Sequence, residues 1–201
     1  MIQTILAVDN EDSILGEFFT ECLKDIENYE NEAKSLNVIK SNALNELAIS
    51  LKLSELSKFI FLAFSHGSEE SLLSNGSSPY ISININNGIF LNAFFYACAC
   101  NVGEVLGRNL VENGCSSFIG YNKNFEIWDF NRNPFVQCAT YGYKLFLSGC
   151  NIETIIEKMK EKYDEYIDNY ENDIFGAMML LSNKNSLVYH GNSKHSISML
   201  D

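Results

Sequence analysis

Phe59-Ile60-Phe61-Leu62-Ala63-Phe64-Ser65-His66-Gly67 is a run of apolar residues halted by a serine, a histidine and a glycine. A run without alternation predicts a strand buried on both faces, the kind found in parallel sheets covered by helices. A second run, residues 93–99, has the same character and stops on Cys100-Asn101-Val102-Gly103. Residues 2–8 and 117–121 repeat the pattern more briefly, and residues 36–40 form a weaker strand.

Between these runs the periodicity becomes helical. Residues 12–27 place Ile14, Leu15, Phe18, Phe19, Cys22, Leu23 and Ile26 on one face. Residues 43–56 do so with Leu44, Leu47, Ala48 and Leu51 inward. Residues 102–112 predict a helix that Asn113-Gly114 ends. Residues 134–147 are helical up to Gly149, and Asn151 is an N-cap for a long charged helix to about residue 172. A short helix at 175–181 and a strand at 186–189 follow. Residues 69–78 read as a polar loop, and Asn87-Gly88 as a hairpin turn between 80–85 and 89–91. Strands alternating with helices predict the α/β class: a three-layer α/β/α sandwich with a mostly parallel central sheet. With 2 prolines and no linker-like tract, residues 1–201 read as one domain.

Apolar residues make up 46% of the chain and charged ones 20%, an ordinary globular balance. The 14 basic and 26 acidic residues give a net charge of −12, which repels phosphate backbones and anionic lipid. Nucleic acid and membrane are therefore not expected partners. The apolar start lacks the basic region of a secretory signal, and no stretch reaches the ~20 apolar residues of a spanning helix. The 6 cysteines lie mainly inside apolar segments, so a reduced, cytoplasmic setting is expected.

In open parallel sheets, ligands bind beyond the carboxyl ends of the strands. His66 and the segment Cys98-Ala99-Cys100 leave the sheet at that edge. An imidazole beside a thiol makes the thiolate accessible. A helix beginning near Val102 would aim its first N–H groups at Cys100. Gly67 would let a substrate carbonyl approach its N–H, which with the Cys100 N–H would form an oxyanion hole. Taken singly these signals are bland. A histidine after a strand is usually polar punctuation, and a buried cysteine usually a small hydrophobe. The Cys98–Cys100 pair has no second ligand pair at metal spacing, and His190 and His195 read as surface residues of the tail. Neither metal nor cofactor is expected. The combination carries the argument.

Phe64-Ser65-His66-Gly67 resembles the histidine-glycine motif of the caspase-like cysteine peptidases, and Tyr96-Ala97-Cys98-Ala99-Cys100-Asn101-Val102-Gly103 resembles their Ala-Cys nucleophile motif. Ala-Cys followed by two residues and a glycine is similar to the bacterial CHAT-type form. Leu106-Gly107, Leu110, Gly114 and Phe118-Ile119-Gly120 continue the likeness, which runs from Ile2 to Tyr121. Cys98 stands where caspases carry glutamine, and His66 lies closer to the cysteine than the ~50 residues of caspases. The resemblance implies a caspase-like fold and a cysteine endopeptidase that works without cofactor through an acyl-enzyme, with His66 as base. Cys98 and Cys100 point the same way along a strand. Cys100 lies later, follows alanine and keeps the glycine offset, so it is the preferred nucleophile. Cys98 then walls the pocket for the residue before the scissile bond. Were Cys98 the nucleophile, Tyr96 would take that place.

In this family that pocket draws on the end of the first strand and the loop after the fifth. Here these offer Asp9, Asp12, Glu126 and Asp129, with no arginine before Arg132. Asp9 and Asp129, with Cys98, are thus the candidate substrate-binding residues, and a basic substrate residue is expected. Trp128 and Phe130 would suit an apolar one. The expected partners are a protein substrate, co-encoded as in bacterial antiviral defence modules, and a regulatory protein, for which helix 152–170 is a candidate docking face. Two rivals compete: an inactive caspase-like interaction module, and a receiver-like or other ligand-binding α/β domain suggested by Leu6-Ala7-Val8-Asp9-Asn10-Glu11. The latter lacks an aspartate after the third strand and a phosphate-binding glycine loop.

Overall fold

The computed structural model describes residues 2–29, 35–169 and 173–200. The chain runs through β1 (Gln3–Val8), α1 (Gly16–Tyr29), β2 (Ser35–Lys40), α2 (Glu46–Leu53) and β3 (Phe59–Phe64). Next come β4 (His66–Gly67), β5 (Ser71–Ser74) and β6 (Ser78–Ser82), then β7 (Phe94–Cys98), α3 (Leu106–Glu112) and β8 (Ser117–Tyr121). Helices α4 (Asn133–Leu147), α5 (Ile152–Asp168) and α6 (Ile174–Ser186) lead to β9 (Leu187–Gly191). The main sheet has the order β2-β1-β3-β7-β8-β9, and every pairing is parallel except that of β9. The mixed α/β class with a mostly parallel central sheet is as the sequence predicts.

Each central strand splits its side chains between two cores, as the period of two requires. On β3 and β7, Ile60, Leu62, Phe64, Phe94, Tyr96 and Cys98 face the layer of α1, α4 and α5. Phe59, Phe61, Ala63, Phe95 and Ala97 face α2, α3 and the small sheet. This two-sided burial is why the runs are apolar without alternation. Each buried phenylalanine contributes about 1.5–3 kcal/mol, and Phe61, Phe90 and Phe95 add ring contacts at centroid distances of 4.9–5.1 Å.

The departures from the sequence reading have local causes. The Asp12 carboxylate accepts N–H bonds from Ile14 (2.9 Å) and Leu15 (2.7 Å), forming a turn that delays α1 to Gly16. Ile14 is consequently 79% exposed rather than inward. Asn45 caps α2 by accepting from the Ala48 N–H, which phases the helix so that Ile49 and Leu53 face the core. Leu47 is 67% exposed, and Leu51 is exposed beside it. The hairpin forms not at Asn87-Gly88 but at Asn75-Gly76, where φ is +50° and +67°. Positive φ at both central positions is what a primed turn demands. The expected polar loop 69–78 therefore contains β5, and β4-β5-β6 form a small antiparallel sheet. Residues 87–89 are a single 3-10 turn. Helix α3 starts at Leu106, not near Val102, and α6 extends well beyond 175–181. Helix α5 is capped as expected, the Asn151 side chain accepting from Thr154, and ends at Asp168; residues 170–172 lie outside the described residues. Among the described residues no helix is long and apolar enough to cross a membrane.

Candidate active site

His66 follows β3 by two residues and Cys100 follows β7 by two, and these strands are direct neighbours in register Phe64↔Cys98. Both residues therefore emerge at one edge of the sheet. Gly67 fixes how closely. A Cβ there would lie 2.6 Å from the Cys100 carbonyl oxygen and 2.7 Å from Val102. Only glycine lets the two motif segments pack at this distance. Gly103 has a similar reason, since a Cβ would meet Val188 at 2.4 Å. Asn101 turns the chain between them in the left-handed region, at φ +60°.

The His66 imidazole is 22% exposed, and its Nε2 lies 3.1 Å from Asp12 Oδ2. Phe19 presents a ring at right angles, 6.2 Å between centroids. Gly76, at the hairpin tip, lies beside the imidazole: a Cβ there would stand 3.8 Å from His66 Cδ2, an ordinary contact. Asp12 thus does two things. One oxygen holds the turn before α1 and the other faces the imidazole. Burial pushes the Asp12 carboxyl up, but the Leu15 and Ile14 N–H groups and His66 together pull it below its ordinary value.

Cys100 is half-buried, and its sulfur accepts an N–H bond from Phe125 at 3.3 Å. Burial raises its pKa, the Phe125 hydrogen bond lowers it and Glu126 raises it, with a net upward shift. Cys98 is 1% exposed, and burial pushes its thiol well above the ordinary range. Cys100 packs against the same core as Cys98, so both face one side. His66, Cys98 and Cys100 line one narrow cleft, together with Leu15, Phe19, Ser65, Ala99, Phe125 and Ile127. Among the described residues no hydrogen bond links His66 to Cys100. Such bonds often tighten only when substrate arrives.

Two expected substrate-binding acids stand elsewhere. Asp9 is fully buried, with Oδ1 accepting from Ser41 (2.7 Å) and Oδ2 from the Asn75 N–H (2.7 Å). It anchors the hairpin tip that flanks His66, and no surface of it meets the cleft. Asp129 is exposed outside the cleft, 3.6 Å from Arg132. Arg132 also pairs with Glu17 and Glu21 on α1. Trp128 donates to Asp173 at the start of α6 rather than entering the cleft. Tyr96 is buried against α4, its hydroxyl donating to the Ala139 carbonyl. No helix N-terminus adjoins Cys100, because α3 is short and starts beyond the Asn101–Val105 turns.

Sequence reasoning missed Asp12 as the partner of His66, and it missed Asn183. The buried Asn183 amide accepts from the Glu126 N–H (2.8 Å) and donates to the Glu126 carbonyl (2.7 Å). That clamp fixes the wall containing Phe125 and Ile127. Its only sequence signal is a polar residue inside an apolar helix. Of the tail histidines expected at the surface, His195 is buried and His190 is half-buried. His195 is 2% exposed, with Nδ1 bonded to Ser117 at 2.6 Å, and His190 bonds the Gly103 carbonyl at 2.7 Å.

No family model and no curated protein matches the sequence. Among solved structures the fold is similar to that of the Arg specific cysteine proteinase gingipain R, with a TM-score of 0.61 and 12% identity. The match covers 96% of this chain and 47% of that one, so the chain spans about half the length of the proteinase. The likeness is one of fold. It bears out the α/β fold with a mostly parallel central sheet and carries no family assignment, CHAT-type or other.

Proposed function

We propose that the chain is a cysteine endopeptidase in which Cys100 is the nucleophile and His66 the base. The observation that carries this reading is the meeting of His66 and a half-exposed Cys100 in one cleft at the carboxyl edge of the sheet, with a carboxylate on the imidazole. The fold neighbour, itself a cysteine proteinase, supports it.

Burial keeps Cys100 a thiol at neutral pH. The proton therefore passes to His66 as sulfur attacks the peptide carbonyl carbon and the C–S bond forms. The N–H groups of Gly67 and Cys100 hold the oxygen as it gains charge. The C–N bond then breaks, and the leaving amine takes the proton from His66. Water attacks the thioester, giving its proton to His66, and the acid departs as the thiol re-forms. Asp12 acts through His66, turning the imidazole and stabilising its charged form, and is a positioning residue.

In this reading the substrate is a protein, co-encoded in the style of bacterial antiviral defence modules that use CHAT-type peptidases, and a regulatory protein controls it in the cytoplasm. The raised Cys100 pKa and the narrow cleft favour one alternative, an inactive scaffold that only binds partners. An active-site thiol probe separates the two. Labelling that vanishes in Cys100→Ala, but persists in Cys22→Ala and Cys138→Ala, is expected of the enzyme. Equal labelling of all three variants would sink the peptidase.

A further inference from the structure

We infer that the residue accepted before the scissile bond is small and apolar, alanine above all, and that Leu15 and Ile127 set this limit. The inference rests on the peptidase reading above. The recess beside His66 and Cys100 is walled by Leu15, Phe19, Cys98, Phe125 and Ile127, with Ala99 and Ser65 completing it; none carries a charge, and the Ser65 hydroxyl is already bonded to Tyr80. Its free volume, taken to the centre of a water-sized sphere, is about 10 Å³. That is the room one water needs, and a methyl group is of similar size.

Charge points the same way. Asp9 is sealed by Ser41 and Asn75, and both oxygens of Asp12 are engaged, one by the Ile14 and Leu15 N–H groups and one by His66. Asp129 lies outside, beside Arg132. A lysine or arginine head entering the recess would lose its water without gaining a carboxylate, and an aspartate would fare no better. Glu126 is near enough to raise the Cys100 pKa but does not line the recess. The basic preference therefore gains no carboxylate within the recess from Asp9, Asp12, Glu126 or Asp129. A leucine is uncharged, but it brings several carbons to a space for one.

The walls differ in how firmly they stand. Phe125 is held between the Phe18 and Tyr121 rings, at centroid distances of 5.8 and 4.8 Å. Phe19 belongs to the buried core. Leu15 and Ile127 are only partly buried, so truncating either widens the recess without opening the core.

The test uses four peptide acyloxymethyl ketones that differ only in the residue beside the electrophile: Ala, Leu, Arg or Asp. The Cys100 sulfur displaces the acyloxy group as a carboxylate and forms a thioether, located by mass spectrometry. In the wild type the Ala probe should react roughly tenfold faster than Leu and roughly a hundredfold faster than Arg or Asp. In Leu15→Ala or Ile127→Ala the Leu probe should gain roughly tenfold on Ala. Fastest modification of Cys100 by the Arg or Asp probe overturns this inference and leaves the peptidase standing. An Ala-to-Leu ratio unchanged in both variants removes the limit from Leu15 and Ile127. Failure of all four probes to modify Cys100 overturns the peptidase reading, and the inference with it.

Discussion

The two ends of the central sheet each hold a histidine beside an oxygen, and they are built for opposite ends. At the amino end of β8, His195 meets Ser117 and sits edge-on to Phe94 and Phe146. On paper a serine–histidine pair is a hydrolase signature. Here it is sealed, and burial holds the His195 pKa down at about 4, so the ring stays neutral and serves as a hydrogen-bonded filler. At the carboxyl end, His66 keeps a solvent-facing edge, and its Nε2 faces the Asp12 carboxylate. In the peptidase reading, access and a carboxylate, not the presence of histidine, separate the proposed reactive site from the structural one.

Matched substitutions at the two ends should split activity from stability. His66→Ala is expected to lower peptide turnover by roughly 10³- to 10⁴-fold, with little change in melting temperature. His195→Ala should do the reverse, since it opens a cavity and strands Ser117. Steady-state kinetics and thermal melts on both variants read the contrast, and loss of turnover in a well-folded His195 variant would erase it.

The amino end should also titrate. Since the folded pKa of His195 is about 4 against an unfolded 6.5, the unfolded chain binds more protons between those values. Its contribution to stability is full above pH 6.5 and is lost as pH falls towards 4, by about 3 kcal/mol. Urea unfolding at several pH values should show that slope in the wild type and a shallower one in His195→Asn, which keeps a hydrogen-bonding side chain without the proton site.

Asp12→Asn sharpens the other side. The amide oxygen can still hold the Ile14 and Leu15 N–H groups, so α1 should stay in place. Turnover should fall roughly tenfold to a hundredfold, less than for the base it positions. The fall should lie in kcat with KM little changed, since the carboxylate faces the imidazole and does not line the cleft. Unchanged kinetics would reduce Asp12 to a helix-start residue. The smallest effect is expected from Asn183→Ala. It leaves the Glu126 backbone groups without their clamp, costing about 1–3 kcal/mol, and it should raise KM several-fold more than it lowers kcat.

What the sequence disclosed follows the same division. The strands β3 and β7 were legible because burial on both faces leaves no polar residue in them, and that made the positions of His66 and Cys100 legible too. Asp12 and Asn183 were not. Their roles depend on which loop lies over which strand end, a long-range fact without periodicity. Asp9 misled for a related reason. A carboxylate at a strand end looks available until the Asn75-Gly76 turn is seen folded onto it. The face of α2 turned on a single cap at Asn45.

The central claim is that Cys100, and not Cys98, reacts with the help of His66. A peptide-library digest with the wild type and the Cys100→Ala, Cys98→Ala and His66→Ala variants tests it most directly. Cleavage should persist in Cys98→Ala and disappear in Cys100→Ala and His66→Ala. Cleavage that survives in Cys100→Ala and is lost in Cys98→Ala would contradict the account.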